Sequence, residues 1–179
     1  MNINRLFSTK ERVEILNHVI YLNREFGVIE TAKKTRLSKG LVSKYFEILV
    51  NEDVLLKRGT KYIINNNGIV KGIRILLNLQ KMDPKLFRKH RFVRAVGLYG
   101  SCSKGTNIVD SDVDLWIKVD KANDEDLSRL TASLRKKIEN LKILILTNEK
   151  IKQLKEKDPL FYHSLYFGSI VLYGEEDEI

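Results

Sequence analysis

The fold is decided by Gly100-Ser101-Cys102-Ser103-Lys104-Gly105 and, after six intervening residues, Asp112-Val113-Asp114. An apolar run over 92–99 leads into the Gly-Ser pair, and a second apolar run over 113–119 follows the first aspartate. This pattern predicts a strand, a tight glycine turn, a loop and a second strand. The C-terminal part of the chain is therefore expected to be built around these two strands.

The turn and the two aspartates carry polar groups suited to phosphate and metal. Glycine lets the backbone turn sharply and approach a phosphate closely, and Ser101 adds a hydroxyl that can hold a phosphate oxygen. Asp112 and Asp114 are two residues apart on a predicted strand, so both carboxylates face the same way. Paired carboxylates suit a hard cation such as Mg²⁺, and a phosphate cradle beside them is suited to nucleotidyl transfer.

The composition is that of a folded globular protein. The chain has 179 residues, of which 43% are hydrophobic and 31% are charged, and this length allows one or two domains. No apolar run approaches the roughly 20 residues that span a bilayer, and the N-terminus lacks the apolar core of a signal peptide. Cys102 is the single cysteine, so no internal disulfide can form. We therefore expect a cytoplasmic protein that does not engage a membrane.

The net charge of +9 is unevenly spread along the chain. Residues 1–68 hold 12 Lys/Arg against 7 Asp/Glu, residues 69–91 hold 7 against 1, and residues 92–179 hold 13 against 15. A basic front and a slightly acidic back indicate two modules with different partners, and the front favours a polyanion. Solvated lysines on an ordinary stable surface would give the same counts, so both interpretations stay open.

The N-terminal region begins with helical signals. Ser8 and Glu11 form a capping box, and the helix that they open is predicted to continue until Gly27 stops it. A short helix over 29–35, a turn, and a further helix over 39–51 follow. Two helices joined by a short turn, with a polar face on the second, are how a helix is offered to the DNA major groove.

A β-hairpin is predicted after these helices, with strands at 54–58 and 61–64 around a Gly-Thr turn. The region over 8–65 resembles a winged-helix DNA-binding domain, and a winged helix used for dimerisation or protein contact would show the same pattern. The DNA interpretation implies that basic and polar residues on the third helix and the hairpin face the duplex: Lys39, Ser43, Lys44, Lys57, Arg58 and Lys61.

The domain boundaries follow from loop signals. A run of asparagines ending at Gly68 closes a winged helix-turn-helix domain over 1–67, and residues 68–91 are predicted to form a helical connector. The remaining domain, over 92–179, is expected to contain a small mixed sheet. Its later predicted elements are a helix over 123–140, a central strand over 143–146, helices opened by Asn148 and Asp158, a strand over 169–173 and an acidic tail over 175–179.

The spacing around the glycine turn resembles a known family. Gly100-Ser101, ten residues, then Asp112-Val113-Asp114 matches the signature of the polymerase-beta-like nucleotidyltransferase superfamily, and Gly105 stands where that family places a second glycine. The whole chain thus resembles an α+β two-domain fusion: a winged helix-turn-helix followed by a minimal nucleotidyltransferase domain.

The resemblance implies roles for these residues. Gly100, Ser101, Lys104 and Gly105 would bind the phosphates of a nucleoside triphosphate (NTP), although a solvated loop position is an equal alternative for Lys104. Asp112 and Asp114 would be the catalytic residues and would bind Mg²⁺ ions, one activating the acceptor hydroxyl and one neutralising the leaving pyrophosphate.

One departure from the family pattern bears on catalysis. Active members carry a third acidic residue on the following strand, and here Lys142 stands where that acid is expected. A cation at this place opposes a second metal ion, which leaves open whether one or two ions bind. Glu139 and Glu149 lie at the ends of the strand and would substitute only if the strand register allowed it.

Two functions are compatible with this sequence. The first is an enzyme that transfers a nucleoside monophosphate from an NTP to an acceptor hydroxyl on a protein, a small molecule or an RNA end. The second is a DNA-binding transcriptional regulator whose degenerate nucleotidyltransferase domain senses a nucleotide. Partners expected from the resemblance are NTP, duplex DNA and, for the enzyme, a protein acceptor. A homodimer is also compatible with a winged helix.

Overall fold

A computed structural model of the protein describes residues 2–175. It forms two compact units, Met1–Leu77 and Asn78–Ile179, called the N-terminal unit and the C-terminal unit. The predicted boundaries at 67 and 91 stay predictions, and of the predicted acidic tail all but Glu175 lies outside the described residues. No helix among the described residues is long and apolar enough to cross a bilayer.

The N-terminal unit consists of helices followed by a two-stranded antiparallel hairpin. In chain order these are α1 (Ile3–Phe7), α2 (Lys10–Val19), α3 (Val28–Thr35), α4 (Lys39–Asn51), β1 (Leu55–Arg58) and β2 (Lys61–Ile64), after which α5 (Gly68–Gln80) begins.

The local signals for α4 and the hairpin are confirmed. The Ser38 hydroxyl accepts a hydrogen bond from the Leu41 backbone N–H at 3.2 Å, which caps α4. Phe46 on α4 packs edge-on against Phe26 and against Tyr62 of β2, so the hairpin and the helix share one core. Helix α5 adds Val70, Ile73 and Leu77 to that core.

The prediction for the first long helix is wrong at both ends. Thr9 caps α2 in place of Ser8 by accepting a hydrogen bond from the Arg12 N–H. The helix ends at Val19, and Phe26 instead forms a β-bridge with Tyr62. Gly27 therefore stands at the N-cap of α3 and does not end α2, because tertiary pairing of Phe26 outweighs its fit to the helical period.

The C-terminal unit is a four-stranded mixed sheet with helices on both faces. The elements are α6 (Lys85–Arg88), β3 (Val93–Tyr99), α7 (Gly100–Lys104), β4 (Val113–Val119), α8 (Asp124–Arg135), β5 (Leu141–Leu146), α9 (Asn148–Lys157), α10 (Pro159–Gly168) and β6 (Ile170–Tyr173). The strand order is β5-β4-β3-β6, with β4 and β5 parallel and the other pairs antiparallel. The predicted mixed sheet is confirmed.

Alternate residues of β4 pack into two separate cores. Leu115 and Ile117 contact the core that includes α8, whereas Trp116 lies in the core formed with α9 and α10. The prediction that the strand after α8 is central is wrong, since β5 is an edge strand paired only with β4 among the described strands. Ile143 and Ile145 of β5 pack against the core that includes α8, and Leu144 packs against the core formed with α9 and α10. The apolar residues of β5 therefore reflect helices on both faces and not a strand on each side.

Candidate functional site

The glycine turn lies where β3 ends and α7 begins. Gly100 has φ +72°, a conformation that favours glycine. A Cβ added to Gly100 would lie 2.5 Å from Oδ2 of Asp114, so a side chain at this position would collide with the carboxylate. The predicted loop after the turn is instead the short helix α7, which ends at Lys104 and has Gly105, with φ +65°, as its C-cap. The absence of a side chain at Gly100 thus lets the turn and the aspartate meet.

Three polar side chains around α7 fix the turn in place. The single hydroxyl hydrogen of Ser103 is shared between two carbonyl oxygens, that of Gly100 at 3.1 Å from Oγ and that of Gly168 at 2.8 Å. Cys102 Sγ donates to the carbonyl oxygen of Asp112 at 3.4 Å, and Asn78 Nδ2 donates to the Cys102 carbonyl oxygen at 2.9 Å. Burial raises the pKa of the Cys102 thiol, which favours a structural role over a nucleophilic one.

The two aspartates meet the turn from the start of β4. Asp114 pairs with Tyr99 in the antiparallel register of β3 and β4, and Asp112 lies just before the strand. Burial raises the pKa of the Asp114 carboxyl, and the charge of Asp112 raises it further. Burial also raises the pKa of Tyr99, with a further contribution from Asp114. The structure therefore brings together Gly100, Asp112 and Asp114 as the sequence predicts.

Lys142 completes this group of charges from β5. It stands opposite Asp114 in the parallel register of β4 and β5. Its Nζ lies 2.6 Å from Asp112 Oδ2, and its side chain is 65% exposed. The hydrogen bond and the charge of Asp112 raise the pKa of the Lys142 ammonium. The cation thus lies at the aspartate pair, where the resemblance noted in the sequence leads us to expect an acid.

The donor chemistry fits one divalent ion better than two. Two neighbouring carboxylates are suitable oxygen ligands for Mg²⁺, but an ammonium cannot coordinate a cation and repels it. Among residues 2–175 no group of three or more His, Cys, Asp or Glu side chains is placed to hold a metal ion. Glu139 and Glu149 therefore do not supply the third carboxylate.

The other predicted phosphate ligands differ in exposure. Ser101 is half-buried in α7, Lys104 is exposed at the last residue of that helix, and Gly105 is buried. Trp116, which shares a strand face with Asp114, is fully buried. Its Nε1 donates to Ser169 Oγ at 2.8 Å, so the indole is a packing residue. Tyr99 was missed by sequence reasoning because only the strand register shows that it faces Asp114.

The predicted DNA-contacting residues lie on two neighbouring segments of the N-terminal unit. Lys39 and Lys44 are exposed on α4, and Ser43 between them is half-buried. The hairpin carries Lys57, Arg58 and Lys61, all exposed. Arg58 Nη1 lies 3.5 Å from Glu25 Oε1, so part of its charge is already compensated within the unit.

Comparison with known proteins identifies the family of the C-terminal unit. The sequence model described as Polymerase beta, Nucleotidyltransferase matches residues 84–178, which is more than half of the chain. A comparison with curated protein sequences finds no match.

Solved structures of toxin-antitoxin proteins are similar at low identity. A crystal structure of a toxin-antitoxin with AMP-PNP is 20% identical, with a TM-score of 0.40, and the match covers 56% of this chain and 76% of that one. The re-refined structure of a tri-AMPylated Shewanella oneidensis HEPN toxin in complex with MNT antitoxin is 17% identical, with a TM-score of 0.36, covering 57% and 75%. The family assignment rests on the sequence match and not on these structures.

Proposed function

The chain belongs to the polymerase beta nucleotidyltransferase family, and on that premise we propose that its C-terminal unit binds an NTP and transfers a nucleoside monophosphate to an acceptor hydroxyl. The observation that carries the proposal is the contact region of Gly100 and Asp114, where a Cβ would lie 2.5 Å from the carboxylate oxygen. The turn that we propose to bind phosphate therefore lies directly beside a carboxylate that we propose to bind the metal.

The residues of the site have separable roles in this proposal. The Gly100-Ser101 turn binds phosphate oxygens through backbone N–H groups and the hydroxyl, and Asp112 and Asp114 hold Mg²⁺. Mg²⁺ held by these carboxylates would supply positive charge to offset the charge that develops during transfer. In the transfer the acceptor oxygen bonds to the α-phosphorus and the bond from that phosphorus to the bridging oxygen breaks. Pyrophosphate leaves, and the hydroxyl proton is released to solvent.

Transfer is tested with α-labelled NTPs and Mg²⁺. The full chain is incubated with protein, RNA and small-molecule fractions of a cell extract, and the fate of the label is followed. We expect label transfer by the wild type and loss of transfer in the Asp112→Ala/Asp114→Ala double variant. Asp110→Ala, an exposed aspartate two residues before the pair, is the matched control and keeps activity. Equal labelling by wild type and double variant would contradict the proposal.

A nucleotide sensor is the second candidate, favoured by the ion pair of Lys142 with Asp112. A cation in place of the third acid weakens the case for turnover but not for phosphate binding. In this proposal the nucleotide binds without being consumed. It binds one of two conformations of the chain more tightly than the other, and these conformations differ in their affinity for DNA. AMP-PNP binding without label transfer to any fraction, together with a change in DNA affinity, would favour the sensor over the enzyme.

We also propose that the N-terminal unit is a winged helix that binds duplex DNA. The support is the exposed basic residues that α4 and the hairpin carry. Phosphate neutralisation makes such binding fall with salt, and the slope should decrease by about one for each phosphate contact removed. We expect Lys39→Ala/Lys44→Ala to weaken binding of the full chain and reduce the slope, whereas Lys150→Ala/Lys152→Ala on α9 leaves both unchanged. Salt-independent binding by the wild type would contradict the proposal.

A further inference from the structure

Lys142 stands in β5 where the family resemblance leads us to expect an acidic residue. It lies opposite Asp114 across the β4–β5 pair, and its Nζ is 2.6 Å from Asp112 Oδ2. The register of β4 and β5 places the Cα of Lys142 directly opposite Asp114. The ammonium is therefore close to the aspartates because of the position of its residue in the sheet.

The ion pair changes which cations the two aspartates can accept. Asp112 Oδ2 already contacts an ammonium, and a divalent ion on the same oxygen would have to displace it or lie against a like charge. The part of the chain that the structure describes places no third His, Cys, Asp or Glu side chain with the two aspartates to hold a metal ion. Two divalent ions beside Lys142 would therefore be held by only two carboxylates and repelled by the nearby ammonium.

We propose that the Lys142 ammonium is a built-in cation of the nucleotide site, so that the chain binds an NTP with one divalent ion and not two. This inference rests on the proposed binding of nucleotide at the Gly100-Ser101 turn. Lys142 takes over the charge of the second ion by contacting phosphate oxygens directly, as a lysine does in other phosphate sites.

The exposure of the pair allows Lys142 to exchange its partner. The Lys142 side chain is 65% exposed and that of Asp112 is 44% exposed, and an ion pair in such a setting is weak because water screens it. The flexible lysine stem lets the ammonium leave Asp112 for a phosphate without losing its hydration in a buried site. Asp112 then becomes available to the single divalent ion together with Asp114.

The first test counts metal ions. The full chain is dialysed to equilibrium against AMP-PNP and Mn²⁺, and the protein-bound amounts of both are measured. We expect one Mn²⁺ per bound nucleotide in the wild type. Lys142→Asp restores a third carboxylate at this place in β5, and we expect two Mn²⁺ per nucleotide in that variant. Two Mn²⁺ per nucleotide in the wild type would overturn the inference.

The second test removes the metal. In EDTA the wild type is expected to keep measurable affinity for AMP-PNP, because Lys142 still supplies a positive charge. Lys142→Met keeps an unbranched stem but loses the charge. Its affinity for AMP-PNP in EDTA should be at least about tenfold weaker than that of the wild type, which corresponds to the loss of one charge-assisted contact. Lys142→Arg should keep most of the affinity, and Lys152→Met on the exposed surface of α9 is the matched control.

The outcomes separate this inference from the proposed function. Equal affinity of wild type and Lys142→Met in EDTA, with both variants folded by circular dichroism, overturns the inference and leaves nucleotide binding intact. A wild-type chain that binds AMP-PNP neither in Mn²⁺ nor in EDTA overturns the proposed function and the inference together.

Discussion

At the scale of single residues, the carboxylate of Asp114 occupies the space that a side chain at Gly100 would need. We predict that Gly100→Ala destabilises the protein by about 1–3 kcal/mol, because the residue has φ +72° and its new Cβ would lie 2.5 Å from Asp114 Oδ2. Since the carboxylate must move away from the turn, AMP-PNP binding in Mg²⁺ should weaken as well. Urea unfolding and a nucleotide titration measure the two effects.

Gly72→Ala is the matched control for this substitution. Gly72 lies within α5, has an ordinary backbone conformation, and a Cβ there would meet no atom within 4 Å. Alanine in a helix interior should stabilise the protein by about 0.5–1 kcal/mol, with no change in nucleotide affinity. A Gly100→Ala protein as stable as the wild type and with the same affinity would contradict the steric account of the turn.

The residues of the candidate site differ in how far sequence could predict them. Gly100, Asp112 and Asp114 lie within one short stretch, so their spacing alone carries the information. The ion pair of Lys142 with Asp112 depends on how β5 registers against β4. The sequence showed that Lys142 stands where an acid is expected, but a one-residue shift of that register would have turned the side chain to the other face.

At the scale of elements, the packing of β3 against β4 depends on Gly97, because the indole ring of Trp116 lies directly over it. Gly97 pairs with Trp116 in the antiparallel register, and the ring occupies the space where a Cβ on Gly97 would lie. We predict that Gly97→Ala costs about 1–3 kcal/mol of stability through overpacking. Urea unfolding of the variant, compared with Gly168→Ala at an uncrowded glycine, measures this cost.

A second substitution makes the prediction specific to the ring. Trp116→Phe loses the hydrogen bond to Ser169 but leaves a smaller ring above Gly97. The Gly97→Ala/Trp116→Phe double variant should therefore be more stable than the sum of the two single effects predicts. Strict additivity would show that the strain at Gly97 does not come from Trp116.

Elements with local signals were predictable and those set by tertiary contacts were not. Helix α4 and strand β4 have the predicted bounds, since a cap and a regular apolar period specify them within a few residues. The end of α2 depends on the pairing of Phe26 with Tyr62, and the edge position of β5 depends on strand order. Neither the end of α2 nor the edge position of β5 can be predicted from the local sequence of that element. Helix α1 has five residues, too few to show a period.

At the scale of the whole molecule, both units contain a histidine whose charged form is disfavoured by folding. Burial lowers the pKa of His18 in the N-terminal unit. In the C-terminal unit burial lowers the pKa of His90, with a further contribution from the charge of Lys89. The Nε2 atom of His90 is buried and has no hydrogen-bond partner among the described residues. Protonation of either ring therefore costs more in the folded state than in the unfolded chain.

The sign of the resulting pH dependence follows from proton binding. As the pH falls through the ordinary histidine range near 6.5, the unfolded chain takes up protons that the folded protein does not, so stability decreases. Carboxyls with a lowered pKa, such as Glu30, lose their contribution only at lower pH.

We predict a smaller free energy of unfolding at pH 5.5 than at pH 7.5. The difference in free energy of unfolding between the two pH values should be smaller in His18→Gln and in His90→Phe. The two reductions should add in the double variant, and the exposed-site control His163→Gln should show the wild-type difference. Urea unfolding at the two pH values measures it, and an unchanged difference in the double variant would place its origin in other groups.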